Sequence, residues 1–218
     1  MLKLVQGVIN FHEKVLPELS AQFADLAAGQ SPDTVMVACM DSRVVPNLFA
    51  STNPGDLFVV RNPGNLIPPF DQVSEETHLG SEAAAIEIAL QHNVKDMIIC
   101  GHSRCAAMAA LLSDDVIKPG VRRWIRHALG AKRQLDLGSA YDRSLPLPDQ
   151  LSQLSVMAQL HHLQSYPDVA DHLATGALRL HGWWFDIGSG NVFNFEPEEN
   201  RFVVIDRVEG ARILSRLG

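Results

Sequence analysis

Three short apolar runs rich in β-branched residues, each leading into a turn and then a helix-compatible stretch, limit this chain more than any other feature. They lie at residues 34–39, 57–61 and 94–101. Runs that are apolar at every position, without a polar alternate, suit strands buried on both faces. Between the second and third, residues 81–92 carry Ala83, Ala84, Ala85, Ile86, Ile88, Ala89 and Leu90 and read as a helix. Strands alternating with helices require right-handed crossovers and a mainly parallel sheet flanked by helices. The fold class is therefore α/β.

Around that centre, residues 4–27 show helical apolar spacing with a break or a second helix start at Pro17, which predicts an N-terminal helical arm. Helices are predicted near 121–135 and 150–164, with an irregular connection at 144–148. Residues 177–187 and 191–196, joined by Gly188-Ser189-Gly190, predict an antiparallel hairpin at one sheet edge. A chain of 218 residues, 46% of them hydrophobic, can bury one core. One domain over 1–218 is expected, with the arm at 1–30, a catalytic core at 34–196 and a C-terminal tail at 197–218.

The net charge is -7 and no basic run is present, so nucleic acid is excluded as an expected partner; Arg122, Arg123 and Arg126 read as a solvated face. No stretch approaches the roughly 20 apolar residues of a membrane span, and the N-terminus lacks a clean signal core. Three cysteines are too few and too odd in number for a disulfide framework, so a reduced, cytoplasmic setting is expected.

In open parallel sheets, ligands sit beyond the carboxyl ends of strands. Cys39 ends the first strand, and His102-Ser103-Arg104-Cys105 comes directly after the third. If those strands are neighbours, Cys39, His102 and Cys105 converge. Two thiolates and an imidazole suit Zn²⁺, and three protein ligands leave one tetrahedral position open, which is a catalytic stoichiometry. Ser103 is predicted to cap the next helix, and Cys105 to sit in its first turn, where the helix N-terminus favours a thiolate. Asp41 and Arg43, two and four residues past Cys39, can form a bidentate pair that keeps the carboxylate ionised beside the metal. Cys100 reads as core. His161 and His162 read as surface or interface residues, and of Trp183 and Trp184 one is expected in the core.

Taken in order, Cys39-x-Asp41-Ser42-Arg43-x-x-Pro46, Arg61-Asn62-Pro63-Gly64-Asn65, Gly101-His102-x-x-Cys105 and His181-Gly182-Trp183 resemble the motifs of β-class carbonic anhydrases, over nearly the whole chain. The resemblance implies a zinc enzyme that reversibly hydrates carbon dioxide to bicarbonate and a proton by way of zinc-bound hydroxide. It implies Cys39, His102 and Cys105 as ligands of one zinc ion, and Asp41 with Arg43 as the catalytic dyad. It gives Gln30, Phe58 and the Ala106 N–H as substrate-facing groups, and a pocket completed at a subunit interface in a homodimer or larger homo-oligomer. The chain departs from the pattern where Ala106 replaces a glycine, Ile88 a tyrosine, and Pro63 enters the Arg-Asn-x-x-Asn segment. An alanine would resist a positive φ and narrow the pocket. A tryptophan and a tyrosine that support an inhibitory bicarbonate site in some members are Met36 and Phe185 here, so that site is expected to be absent and the metal open at neutral pH. Two further readings stand beside the first: hydrolysis of carbonyl sulfide or carbon disulfide on the same zinc scaffold, and a non-catalytic zinc-binding interaction module.

Overall fold

The computed structural model describes residues 1–72 and 80–217. Its centre is a six-stranded sheet in the order β2-β1-β3-β4-β5-β6. The strands are β1 (Thr34–Cys39), β2 (Leu57–Asn62), β3 (Asp96–His102), β4 (Arg179–Phe185), β5 (Val192–Glu196) and β6 (Arg201–Val204). The first four run parallel, and β5 and β6 return antiparallel at the edge. The helices are α1 (Leu2–Asn10), α2 (Leu16–Leu26), α3 (Pro46–Phe49), α4 (Ser81–Gln91), α5 (Ala106–Leu112), α6 (Pro119–Ile125), α7 (Leu129–Asp136), α8 (Leu147–Gln164), α9 (Pro167–Ala174) and α10 (Arg207–Leu217).

Of the three apolar runs expected to be buried on both faces, β1 and β3 are, whereas β2 is an edge strand and only half-buried. β1 and β3 are buried along nearly their whole length. Val35, Val37, Met97 and Ile99 pack on one face against Ile86 and Leu90 of α4 and Val156, Leu160 and Leu163 of α8. Met36, Ala38, Ile98 and Cys100 pack on the other, with Phe49 and Phe185 stacked 5.0 Å apart. A third cluster lies past the carboxyl ends of the strands, where Leu66, Met108, Ile125, Leu151 and Leu154 enclose Cys39 and Cys105.

Helix α8 comes unusually close to the sheet at Gly101. A Cβ there would stand 2.6 Å from Val156 Cγ2, so only glycine admits this approach. Two of the polar residues that α8 buries tie it to the sheet and to the loop after β2: Ser152 Oγ donates to His102 O (2.9 Å) and Gln159 Oε1 accepts from Ile67 N (2.9 Å).

Of the two readings of Pro17, a break or a second helix start, the second holds: Pro17 stands in the first turn of α2, and a π turn, Phe11–Val15, joins α1 to α2 so that the arm continues as one helical rod. Proline has no N–H to give, and its ring crowds the carbonyl four residues back; a wider turn relieves both. The arm buries no residue of its own. The segment expected as a tail instead forms β6 and α10. Arg216 donates to both oxygens of Glu196 (3.0 and 2.7 Å), whose side chain is fully buried, and Arg212 reaches Glu199 (2.9 Å). β6 is four residues long and α10 is rich in charge, so neither carries an apolar period, and the partner that orders them is elsewhere in the chain. Helix α9, likewise, lies outside the segments predicted helical.

Candidate metal centre

Cys39 is the last residue of β1 and His102 the last of β3, and these strands pair directly with Ala38 opposite Cys100. That register brings the two side chains out at the same sheet edge. Cys105 comes three residues later, immediately before α5. The ligand atoms of Cys39, His102 and Cys105 all lie within 4.8 Å of one another and all three residues are buried. Asp41 is not part of this group of three.

The turn between His102 and Cys105 is made by Arg104, which takes a left-handed φ of 57°. A residue with a Cβ adopts that conformation only when something holds it. Here Arg104 N donates to Asp149 Oδ1 at 2.6 Å, and Asp149 is buried in the first turn of α8. Ser103 does not cap the helix: its Oγ donates to Asp186 Oδ1 (2.7 Å) and accepts from Ile187 N (2.9 Å), tying the turn to the end of β4. Cys105 therefore precedes the first helical turn rather than lying in it. The N–H groups of Ala107 and Met108 still favour a thiolate at its sulfur.

The donor set is prepared for a cation. His102 Nδ1 lies 2.8 Å from Ser103 O, and a carbonyl only accepts, so Nδ1 carries the hydrogen and Nε2 offers its lone pair. That Nε2 is buried with no hydrogen-bond partner among the described residues, an arrangement proteins avoid unless something binds there. A hydrogen bond from Cys105, first, and the Gly64 N–H at 3.3 Å draw the Cys39 thiol down against the effect of burial. The Cys39 charge and burial push the Cys105 thiol up, since a second buried anion would stand beside the first. A bound divalent cation removes that opposition. Two sulfurs and one imidazole fit zinc.

Beside the three ligands, Arg43 grips Asp41 through Nε to Oδ1 (2.9 Å) and Nη2 to Oδ2 (2.8 Å), the bidentate geometry expected. Arg43 N also donates to Oδ1 at 3.0 Å. These bonds hold the Asp41 carboxyl well below the usual carboxylate range. Arg61 fixes the loop beneath them by donating to Cys39 O (3.0 and 2.7 Å) and Asp41 O (2.7 Å). Asn62 holds the Pro63–Leu66 turn by accepting from Leu66 N (2.8 Å) and donating to Leu66 O (2.9 Å), which aims Gly64 N at Cys39.

Not every residue expected at the site reaches it within one chain. Phe58 is level with Val35 in the register, four residues before Cys39, or about 13 Å along the strand. It packs edge-on to His92, with ring centroids 5.3 Å apart. Gln30 is exposed, before β1, and lines a surface hollow with Phe23, Leu26 and Pro54. Both belong to the end of the sheet away from the cysteines, because strand direction sends the residues that enter β1 and those that leave it to opposite ends. Ala106 is the first residue of α5, exposed and in ordinary helical backbone. The expected strain of alanine does not arise, because the left-handed residue is Arg104. Met36 and Phe185 lie in the dry apolar cluster under the sheet.

Cys100 is core, and burial raises its thiol to about 12. Trp184 is core and Trp183 half-buried. His162 departs from the surface role expected of it: it is half-buried, with Nδ1 2.7 Å from Ile67 O. Sequence reasoning missed Asp149 and the backbone role of Arg61. Asp149 comes after Pro148 at a helix start, a local signal for a capping acid, but its partner lies 45 residues away.

The chain is thus an α/β protein with a buried Cys-His-Cys group that could hold a metal ion at the carboxyl edge of a parallel sheet, and an arginine-clamped aspartate alongside. Residues 34–192 match the family described as carbonic anhydrase. The carbonic anhydrase of Pseudomonas aeruginosa is 36% identical over 208 residues, covering 93% of this chain and 91% of that protein. That of Synechococcus elongatus is 35% identical over 227 residues, covering 100% of this chain and 81% of that protein. A solved β-carbonic anhydrase, CcaA, superimposes with a TM-score of 0.83 at 35% identity, covering 94% of this chain and 98% of that one. One of two β-carbonic anhydrases from Sordaria macrospora, described as tetrameric, gives 0.75 at 28% identity, over 88% of this chain and 94% of that one. The chain belongs to the β-carbonic anhydrase family, whose members are lyases.

Proposed function

We propose that this chain reversibly hydrates carbon dioxide to bicarbonate and a proton, with one zinc ion held by Cys39, His102 and Cys105. The observation that carries this reading is the buried, unpartnered His102 Nε2 beside two thiol sulfurs, with an ionised Asp41 alongside. Zinc, when bound, supplies the Lewis acidity that brings the pKa of a ligated water to about 7. Asp41, clamped on both oxygens by Arg43, can only accept a hydrogen bond. It therefore takes the hydrogen of the attacking group and leaves that group's lone pair directed at carbon dioxide. The Ala106 N–H, at the start of α5, is placed to donate to a substrate oxygen as charge grows on it.

Gln30 and Phe58 enter this reading through a second copy of the chain. The arm exposes Leu2, Leu4, Val5, Val8, Ile9 and Phe11, an apolar surface that a homodimer or larger homo-oligomer would cover. In such an assembly Gln30 of the partner subunit and Phe58 of the partner subunit would complete the pocket. Free, metal-ready cysteines suit a reducing, cytoplasmic setting. Among the described residues no helix is long and apolar enough to cross a membrane.

The test is zinc stoichiometry together with stopped-flow carbon dioxide hydration on the wild type and Cys105→Ala. One zinc per chain with hydration in the wild type, and loss of both in the variant, is the expected result. A wild type that purifies without stoichiometric zinc, or that holds zinc and releases sulfide from carbonyl sulfide without hydrating carbon dioxide, overturns the proposal. Light scattering on the same sample reads the assembly.

A further inference from the structure

A second polar cavity, of about 470 Å³, lies on the surface between the start of α7, the end of α8 and the Ile67–Pro69 segment. Arg126, His127, Arg133, His162, Pro69 and Leu129 line it; among the described residues no carboxylate does, although the charge of Asp71 acts on His162. Arg126 begins the short 3₁₀ turn Arg126–Ala128 that leads into α7, and Arg133 lies within α7; both border the cavity. Arg133 folds back over Gly130, its Nη2 4.0 Å from where a Cβ on that glycine would stand. Neither arginine forms an ion pair among the described residues. Two unpaired guanidinium groups facing one concavity, in a chain of net charge -7, form a local site for an anion.

The histidines narrow the class of anion. His162 Nδ1 faces two acceptors, Ile67 O at 2.7 Å and Gln159 Oε1 at 3.1 Å, and Gln159 Oε1 already accepts from Ile67 N. Nδ1 therefore carries the hydrogen, and the ring edge left for the cavity is the Nε2 lone pair. Burial, first, and the nearby Arg126 charge hold His127 down to about 4, and burial lowers His162 as well, so both rings are uncharged at neutral pH. A lone pair repels a fully deprotonated oxyanion and welcomes one that keeps an O–H.

We propose that this cavity binds hydrogen phosphate, its bare oxygens held by Arg126 and Arg133 and its own O–H donated to His162 Nε2. Sulfate has the same charge and shape at neutral pH and no proton to donate. Bicarbonate shares the single O–H but is planar and carries one charge.

Titration of the full-length protein, labelled with ¹⁵N at histidine, tests this with inorganic phosphate, sulfate and bicarbonate at constant ionic strength. The ring signals of His127 and His162 are expected to shift saturably with phosphate, several-fold more tightly than with sulfate. The Arg126→Gln/Arg133→Gln variant should bind phosphate at least about tenfold more weakly while its thermal melt and far-UV circular dichroism match those of the wild type. A shift that never saturates, equal affinity for sulfate, or an unchanged affinity in the folded double variant overturns the proposal. Saturation by bicarbonate at lower concentration than phosphate removes phosphate as the ligand.

Discussion

Asp149→Ala tests how the metal centre is held together. In the wild type Asp149 Oδ1 takes the Arg104 N–H at 2.6 Å and keeps Arg104 at φ 57°, the conformation that turns the chain from His102 to Cys105. A hydrogen bond to a charged group contributes about 2 kcal/mol. The left-handed conformation of a residue with a Cβ costs about 1 kcal/mol. Removing the carboxylate leaves that cost uncompensated, so the variant should lose about 2 kcal/mol, a fall in Tm of about 6 °C for a chain of this size. The loss falls on the Cys105 turn, so metal affinity should drop by about 10- to 100-fold, as for other residues that orient a ligand. Adding Arg104→Gly relieves the conformational cost and should return about 1 kcal/mol without restoring the hydrogen bond. Thermal melts of the three variants and competition for zinc with a chromogenic chelator supply the readouts. If Asp149→Ala keeps wild-type metal affinity, or if Arg104→Gly fails to recover stability in its background, the turn is not held as argued.

Arg43→Ala should raise the pH at which the Asp41 carboxyl titrates. The Arg43 side chain holds that carboxyl below its ordinary value of about 4, so Asp41 stays ionised, and its pairing stabilises the fold, above that value. That contribution is lost only as pH falls through the depressed value; without Arg43 the Asp41 carboxyl should titrate near pH 4, as its ¹³C carboxyl signal can show. Metal removal with a chelator should lower Tm by mass action and open Cys39 and Cys105, but not Cys100, to a thiol reagent, since Cys100 is fully buried with its thiol at about 12. Glu196→Ala should cost about 2 kcal/mol and expose α10 to limited proteolysis while leaving metal content unchanged, because Glu196 anchors Arg216 far from the cysteines.

Much of this protein was legible locally. Buried parallel strands need apolar residues at every position, so 34–39, 57–61 and 94–101 announced themselves, and a strand's carboxyl end is where a ligand residue matters; Cys39, Asp41, Arg43, His102 and Cys105 could be picked out from spacing alone. The resemblance of the ordered motifs then supplied the family, and the antiparallel hairpin at Gly188–Gly190 came from its turn residues. What the sequence could not carry were pairings between distant positions. The left-handed Arg104 depends on Asp149, the order of β6 and α10 depends on Glu196 meeting Arg216, and His162 is drawn inward by Ile67 O. The level of Phe58, about 13 Å from Cys39, was set by the β1–β2 register, which places it at the end of the sheet away from Cys39, His102 and Cys105. Local pattern reports what each segment prefers and which chemistry it can offer. Only the packed sheet decides which offers share one place, because contacts across many residues of chain are selected by the whole core and leave no period in any one segment.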